Sequence, residues 1–315
     1  MLLEIPSTFR RPGLKSAGEE IEIACDWIEA SALFSGESVT SPDVTDLLVE
    51  ELWFKTQPDA REFVDLTWSR MKARRIAAGS SGPFTFGYQN IEPKTKNWDD
   101  APAYAFCLLL SYARHNPKWA GQKKVKWNYN TQGEIFERMS CNSLEQLLPT
   151  WTVYSTGWSA TKTAQLGNVV KEISRRLCGE VNNLRRWNKQ QAKEAGLDVL
   201  CYRRFEDGRG NFPAFFVQCA SGKKFEQKLK DPHLGVWTDL VSLVPSSLPR
   251  KGFVTPFVFP QRQFERYAIQ SEGLLLDRCR LLSAEARKQD WLDEKTAKQI
   301  RKWGKPFVKM LPWPK

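Results

Sequence analysis

Two stretches carry the side chains best suited to chemistry. One is Gly196-Leu197-Asp198-Val199, the other Val217-Gln218-Cys219-Ala220, followed by Ser221-Gly222-Lys223-Lys224. Both are rich in β-formers. Between them, Glu206 to Asn211 is full of turn residues, so Leu197–Phe205 and Phe212–Cys219 read as the strands of a hairpin. Side chains alternate across a strand, which puts Gln218 and Ala220 on one face. Asp198 stands at the start of the preceding strand, where an antiparallel partner brings it beside Gln218. A carboxylate and a side-chain carbonyl on neighbouring strands form a hard-oxygen site that suits Mg²⁺ or Mn²⁺. Gly-x-Asp is also a common turn into a strand, and Val-Gln-Cys is ordinary on a buried one, so the weight lies in their hairpin order and the basic tail after them.

The elements that must position these residues follow from periodicity. Gly133–Leu148 is an amphipathic helix with Ile135, Phe136, Met139, Leu144, Leu147 and Leu148 on its apolar face. Ala160–Cys178 is expected as a second helix, Phe225–Leu243 as a third and Leu281–Trp303 as a last. Phe253–Phe259 and Gly273–Asp277 are expected as further strands. The first part of the chain reads as helical over Glu19–Leu33, Asp43–Phe54, Pro58–Ala78 and Ala101–Arg114, with Ser41-Pro42 as a start signal. Pro83–Asp99 reads as an irregular loop with a short strand. Pro117–Lys126 is basic and polar and reads as a linker. Two domains follow: a helical N-terminal one over 1–126 and an α/β one over 127–315, with a mixed sheet flanked by helices.

These motifs resemble the PD-(D/E)XK nuclease superfamily, most closely its Mrr-like restriction endonuclease branch. That branch carries a Gly-x-Asp-Val element, a hairpin, a strand bearing Gln-x-Lys, and an upstream helix with Phe-Glu. Gly196-Leu197-Asp198-Val199, Val217-Gln218-Cys219-Ala220 and Phe136-Glu137 match in that order. The resemblance spans about half the chain, from Gly133 onward, and implies a restriction-endonuclease-like core. It also implies metal-dependent cleavage of DNA phosphodiesters in prokaryotic defence against foreign DNA. Asp198, Gln218 and the Cys219 backbone carbonyl would hold the Mg²⁺, with Glu137 completing the shell. The chain departs from the family at residue 220, where Ala220 replaces the usual lysine. Lys223 or Lys224 could reach into the vacated space on a long flexible stem. Lys223 would then position the attacking hydroxide or stabilise the oxyanion. Glu172 or Glu180 is an alternative to Glu137, given an expected insertion between Pro149 and Gln191.

Composition bounds the partners. The chain of 315 residues has a net charge of +11, which favours a polyanion, chiefly DNA. Lys123, Lys124, Lys126 and Lys224 are candidate phosphate contacts, and Trp119 and Trp127, interleaved with lysines, are candidates for stacking on bases. No Walker-type phosphate loop is present, so translocation on DNA would need a partner ATPase or helicase. A catalytically inactive scaffold serving such a partner is the alternative reading. No RNA-binding motif stands out. Seven scattered cysteines without a CxxC pair and only two histidines, His115 and His233, argue against zinc and for a reducing cytoplasm. Neither a signal peptide nor a membrane span is expected; the longest apolar run, Ala103–Leu110, is about two helical turns.

Overall fold

The computed structural model describes residues 1–10, 17–80, 82–122, 127–156, 166–182, 184, 196–243, 249–288 and 290–314. The fold is mixed α/β. The chain divides into two compact units. The first comprises Met1–Trp127, Pro256–Gln261 and Arg278–Lys315, the second Asn128–Thr255 and Arg262–Asp277.

The first unit begins with α1 (Ala17–Ser35), β1 (Val39–Thr40), α2 (Ser41–Glu50) and α3 (Gln57–Ala77). The hairpin β2 (Phe84–Phe86) and β3 (Asn90–Pro93) follows, then α4 (Pro102–His115) and α5 (Pro117–Ala120). The helix starts are written in the sequence. Thr40 and Thr56 accept from the backbone N–H groups of Asp43 and Asp59, and a proline occupies the first turn of α2 and of α3. The small sheet has the order β1-β3-β2, all antiparallel.

Polar residues of α1 face inward together with the apolar ones. Arg74 of α3, 2% exposed, is bonded to Glu22 and reaches Asp26 at 2.7 Å. Arg278 is bonded to Asp26 as well. Buried charges persist only when paired, and these are.

The second unit contains α6 (Tyr129–Leu147), β4 (Thr152–Ser155), α7 (Leu166–Leu177), β5 (Glu180–Val181), β6 (Val199–Tyr202) and β7 (Ala214–Cys219). After these come α8 (Leu234–Leu240), β8 (Val241–Ser242), β9 (Arg250–Val254), α9 (Gln261–Ser271) and β10 (Gly273–Leu276). Five strands form a mixed sheet in the order β10-β9-β7-β6-β4. The expected hairpin is β6–β7, with Val199 opposite Val217 and Leu200 opposite Phe216. β4 adds antiparallel to β6, whereas β9 and β10 run parallel to β7, which requires crossovers and therefore the intervening helices. Leu200, Tyr202 and Phe216 pack on Val170, Ile173 and Leu177 of α7 and on Trp237 and Leu240 of α8. α6 lies against β4, β6 and β7.

Three expectations are corrected. The C-terminal segment from Arg278, made of α10 (Arg278–Leu282), α11 (Ala284–Arg287) and α12 (Glu294–Val308), belongs to the first unit and not to the α/β one. Its Arg278 completes the buried ion cluster, and its Trp303 and Phe307 join an aromatic group with Phe106 and Trp127. The single helix expected over Phe225–Leu243 is a 3-10 turn, Phe225–Lys228, followed by α8. Pro232 separates them, because the residue before a proline avoids helical backbone. Part of the expected linker is helical: Asn116 caps α5 and Trp119 is buried.

Candidate functional site

Gly196 sets the geometry. Its φ of +50° turns the chain into β6, and a Cβ there would lie 2.7 Å from Cβ of Asp231. The backbone of Asp198 is then fixed on both sides. Its N–H donates to Val217 O at 3.0 Å, and its carbonyl accepts from the Thr156 N–H at 2.9 Å. The Thr156 hydroxyl secures the preceding peptide by donating to Leu197 O at 2.8 Å.

With the backbone held this way, Asp198 and Gln218 meet as the alternation of the hairpin requires. Nε2 of Gln218, a buried side chain, donates to Oδ2 of Asp198 and also to the Cys219 carbonyl at 3.1 Å. The Cys219 N–H donates to the same Asp198 oxygen at 2.7 Å. Two oxygens from separate strands thus converge on one amide nitrogen. Oε1, at the other end of that amide, lies toward Gly196.

Glu137 enters from α6. It accepts a hydrogen bond from the Ser155 hydroxyl of β4. Gln132 ties the first turns of the same helix to the end of β7 through Ser221 O, at 2.9 Å. Burial pushes the Asp198 carboxyl up to about 7, and the negative charge of Glu137 pushes in the same direction. The Cys219 N–H and the Lys228 ammonium oppose this, and Asp231 adds to it. Asp231 is itself raised by burial, with His233, Lys228 and Lys251 acting against the shift.

The structure therefore brings together Asp198, Gln218 and the Cys219 carbonyl, with Glu137 in electrostatic reach. Between the alternatives for the helical carboxylate it favours Glu137. Glu172 is engaged with Arg175 and Arg176, and Glu180 is exposed on β5. Lys223 and Lys224 are exposed in the turn after β7, and Ala220 is buried with its N–H donating to Val254 O. Lys228, also exposed and one helical turn further on, draws the Asp198 carboxyl down against the effect of burial. No local pattern pointed to it: Phe225, buried against Tyr267, anchors the turn that carries Lys228. Asp231 was also missed, because its closeness to Gly196 depends on the fold of the segment after that turn.

Other candidates resolve differently. Trp119 and Trp127 do not offer stacking surfaces. Trp119 is buried and donates to Met310 O at 2.6 Å, and the Trp127 ring stacks on Phe307 with centroids 4.2 Å apart. His115 is driven down to about 4, chiefly by burial and next by Arg114. Burial raises the thiol of Cys219, and Asp198 raises it further, against a nucleophilic role. Lys123, Lys124 and Lys126 lie outside the described residues.

The donor set fits a hard divalent cation. It offers one carboxylate, one backbone carbonyl and one reversible amide, with a second carboxylate nearby. Among the described residues no group of three or more His, Cys, Asp or Glu side chains is placed to hold a metal ion. No protein-family model matches the chain, and no curated protein or solved structure matches it either.

Proposed function

We propose that this protein is a divalent-cation-dependent DNA endonuclease of the PD-(D/E)XK type, acting in the cytoplasm in defence against foreign DNA. The observation that carries the reading is the convergence of Asp198 Oδ2 and the Cys219 carbonyl on the Gln218 amide, beside an Asp198 carboxyl raised by burial and then by Glu137. A helix bearing Glu137, a hairpin bearing Asp198 and Gln218, and a mixed sheet are also what the sequence resemblance implies.

Asp198, Gln218 and the Cys219 carbonyl would hold Mg²⁺ or Mn²⁺, with Glu137 beside them. Such an ion supplies a more acidic water and neutralises charge on the scissile phosphate. The chain's own residues do the rest. The Cys219 N–H and the Thr156 contacts keep the Asp198 carboxylate aimed. Lys228, whose charge is felt at Asp198, would offer an ammonium to the negative charge that develops on the phosphate oxygens.

A duplex DNA partner is supported by the first unit as well as by the net charge. Its order of helix, strand, two helices and hairpin is that of a helix-turn-helix flanked by a β-wing, and α2 and α3 pack together. Thr45, Arg61, Ser69 and Lys72 of these helices line one groove with Tyr88 and Gln89 of the hairpin tip, where Tyr88 is 90% exposed. Asp46 and Asp65 share this groove and weaken its pull on phosphate, which suits a contact of modest affinity. Among the described residues no helix is long and apolar enough to cross a membrane.

The test is nicking of supercoiled plasmid by the purified chain with Mg²⁺ or Mn²⁺, alongside Asp198→Ala. Cleavage that survives Asp198→Ala overturns the site. The second reading, a non-catalytic DNA-binding subunit working with a partner ATPase or helicase, is favoured by one observation: residue 220 is a buried alanine. It predicts DNA binding with no cleavage under any cation.

A further inference from the structure

The Gln218 amide has two ends, and the protein gives each a different neighbour. Its NH₂ end lies between Asp198 Oδ2 and the Cys219 carbonyl, two acceptors. Its oxygen end faces the bare α-carbon of Gly196: Oε1 is 3.1 Å from the point where a Cβ would stand. The Cγ of Asp231 is 2.9 Å from the same point. The amide oxygen and the Asp231 side chain therefore border the same space that glycine leaves open.

With a cation between Asp198 and Cys219, this orientation fails. An N–H would point at positive charge, and the coordinating atom must be oxygen. Rotating the amide by half a turn presents Oε1 to the cation and sends the NH₂ toward Gly196 and Asp231. Gln218 is 3% exposed, so the displaced N–H needs an acceptor within the protein. Asp231 supplies one. It is itself braced by His233, whose Nε2 is 3.3 Å from Oδ1.

We propose that Asp231 is a positioning residue. It accepts from the reversed Gln218 amide and so holds the amide oxygen toward the cation. This rests on the cation site proposed above. Partners behind a metal ligand typically contribute ~10–100-fold to metal affinity.

The experiment is Mn²⁺ binding to the full chain, followed by titration calorimetry and by the electron paramagnetic resonance of free Mn²⁺, with folding checked by circular dichroism. Asp231→Ala is expected to weaken binding by ~10-fold or more. Asp231→Asn, which keeps an oxygen acceptor, should retain most of the affinity. In a Gln218→Glu background there is no amide to orient, so Asp231→Ala should strengthen binding by removing a like charge. Unchanged affinity in Asp231→Ala, or an equal loss in the Gln218→Glu background, overturns the positioning role while the cation site stands. No Mn²⁺ binding by the wild-type chain, or binding that survives Asp198→Ala, removes the site and the inference together.

Discussion

At the scale of single residues, Asp198 governs the behaviour of the metal-free protein. Its carboxyl is raised from an ordinary value of 3.8 to about 7, so the folded state holds a proton that the unfolded chain releases. Stability contributed through this group is greatest at low pH and declines as pH rises from about 4 through about 7. In EDTA, Asp198→Asn should flatten the fall in melting temperature across that window, and Mg²⁺ should stabilise the wild type more at pH 8 than at pH 6. Parallel pH profiles for the two proteins would refute the assignment. Lys228 belongs to the same scale. Lys228→Ala should slow plasmid cleavage by ~10²–10³, the usual cost of losing a donor aimed at transition-state charge, whereas Lys223→Ala should leave most of the rate. Single-turnover kinetics of the two variants would show whether either lysine serves in place of the one absent at Ala220.

At the scale of elements, the hairpin and its entry turn determine whether the site exists. Gly196→Ala adds a side chain at positive φ and places its Cβ against Asp231. It should cost about 1–3 kcal/mol in urea denaturation and weaken Mn²⁺ binding, because the turn that aims Asp198 must shift. The ion cluster of the first unit is the other sensitive element. Arg278→Ala leaves Asp26 and Glu29 short of a partner in a buried setting, and removing one member of such a pair typically costs about 3–5 kcal/mol. Equilibrium denaturation of that variant should show the loss. Replacing Arg301, which reaches Glu294 at an exposed position, should cost far less.

At the scale of the whole molecule, charge sets how the chain would meet the DNA partner proposed for it. A net charge of +11 with modest groove complementarity predicts binding dominated by phosphate contacts and weak in sequence preference. Affinity for a short duplex should fall with salt at a log–log slope of about −0.9 per phosphate neutralised. Arg61→Ala with Lys72→Ala should make that slope shallower while leaving Mn²⁺ affinity unchanged. A slope identical to the wild type would remove the helix-turn-helix groove from the interface.

Local patterns alone determined much of this protein. Helix starts at Pro42 and Pro58, the amphipathic helix carrying Glu137, and the hairpin pairing Asp198 with Gln218 depend on capping, periodicity and strand alternation, which act between near neighbours. Tertiary structure decided the rest. The C-terminal helices joined the first unit because Arg278 answers the buried Asp26, a contact spanning 252 positions that no window of sequence contains. Lys228 stood out over Lys223 because a buried Phe225 turns the chain before it. Asp231 comes close to Gly196, beside the oxygen end of Gln218, only because glycine leaves a side chain's worth of space there, and which residue borders such a space is settled by packing, not by spacing along the chain.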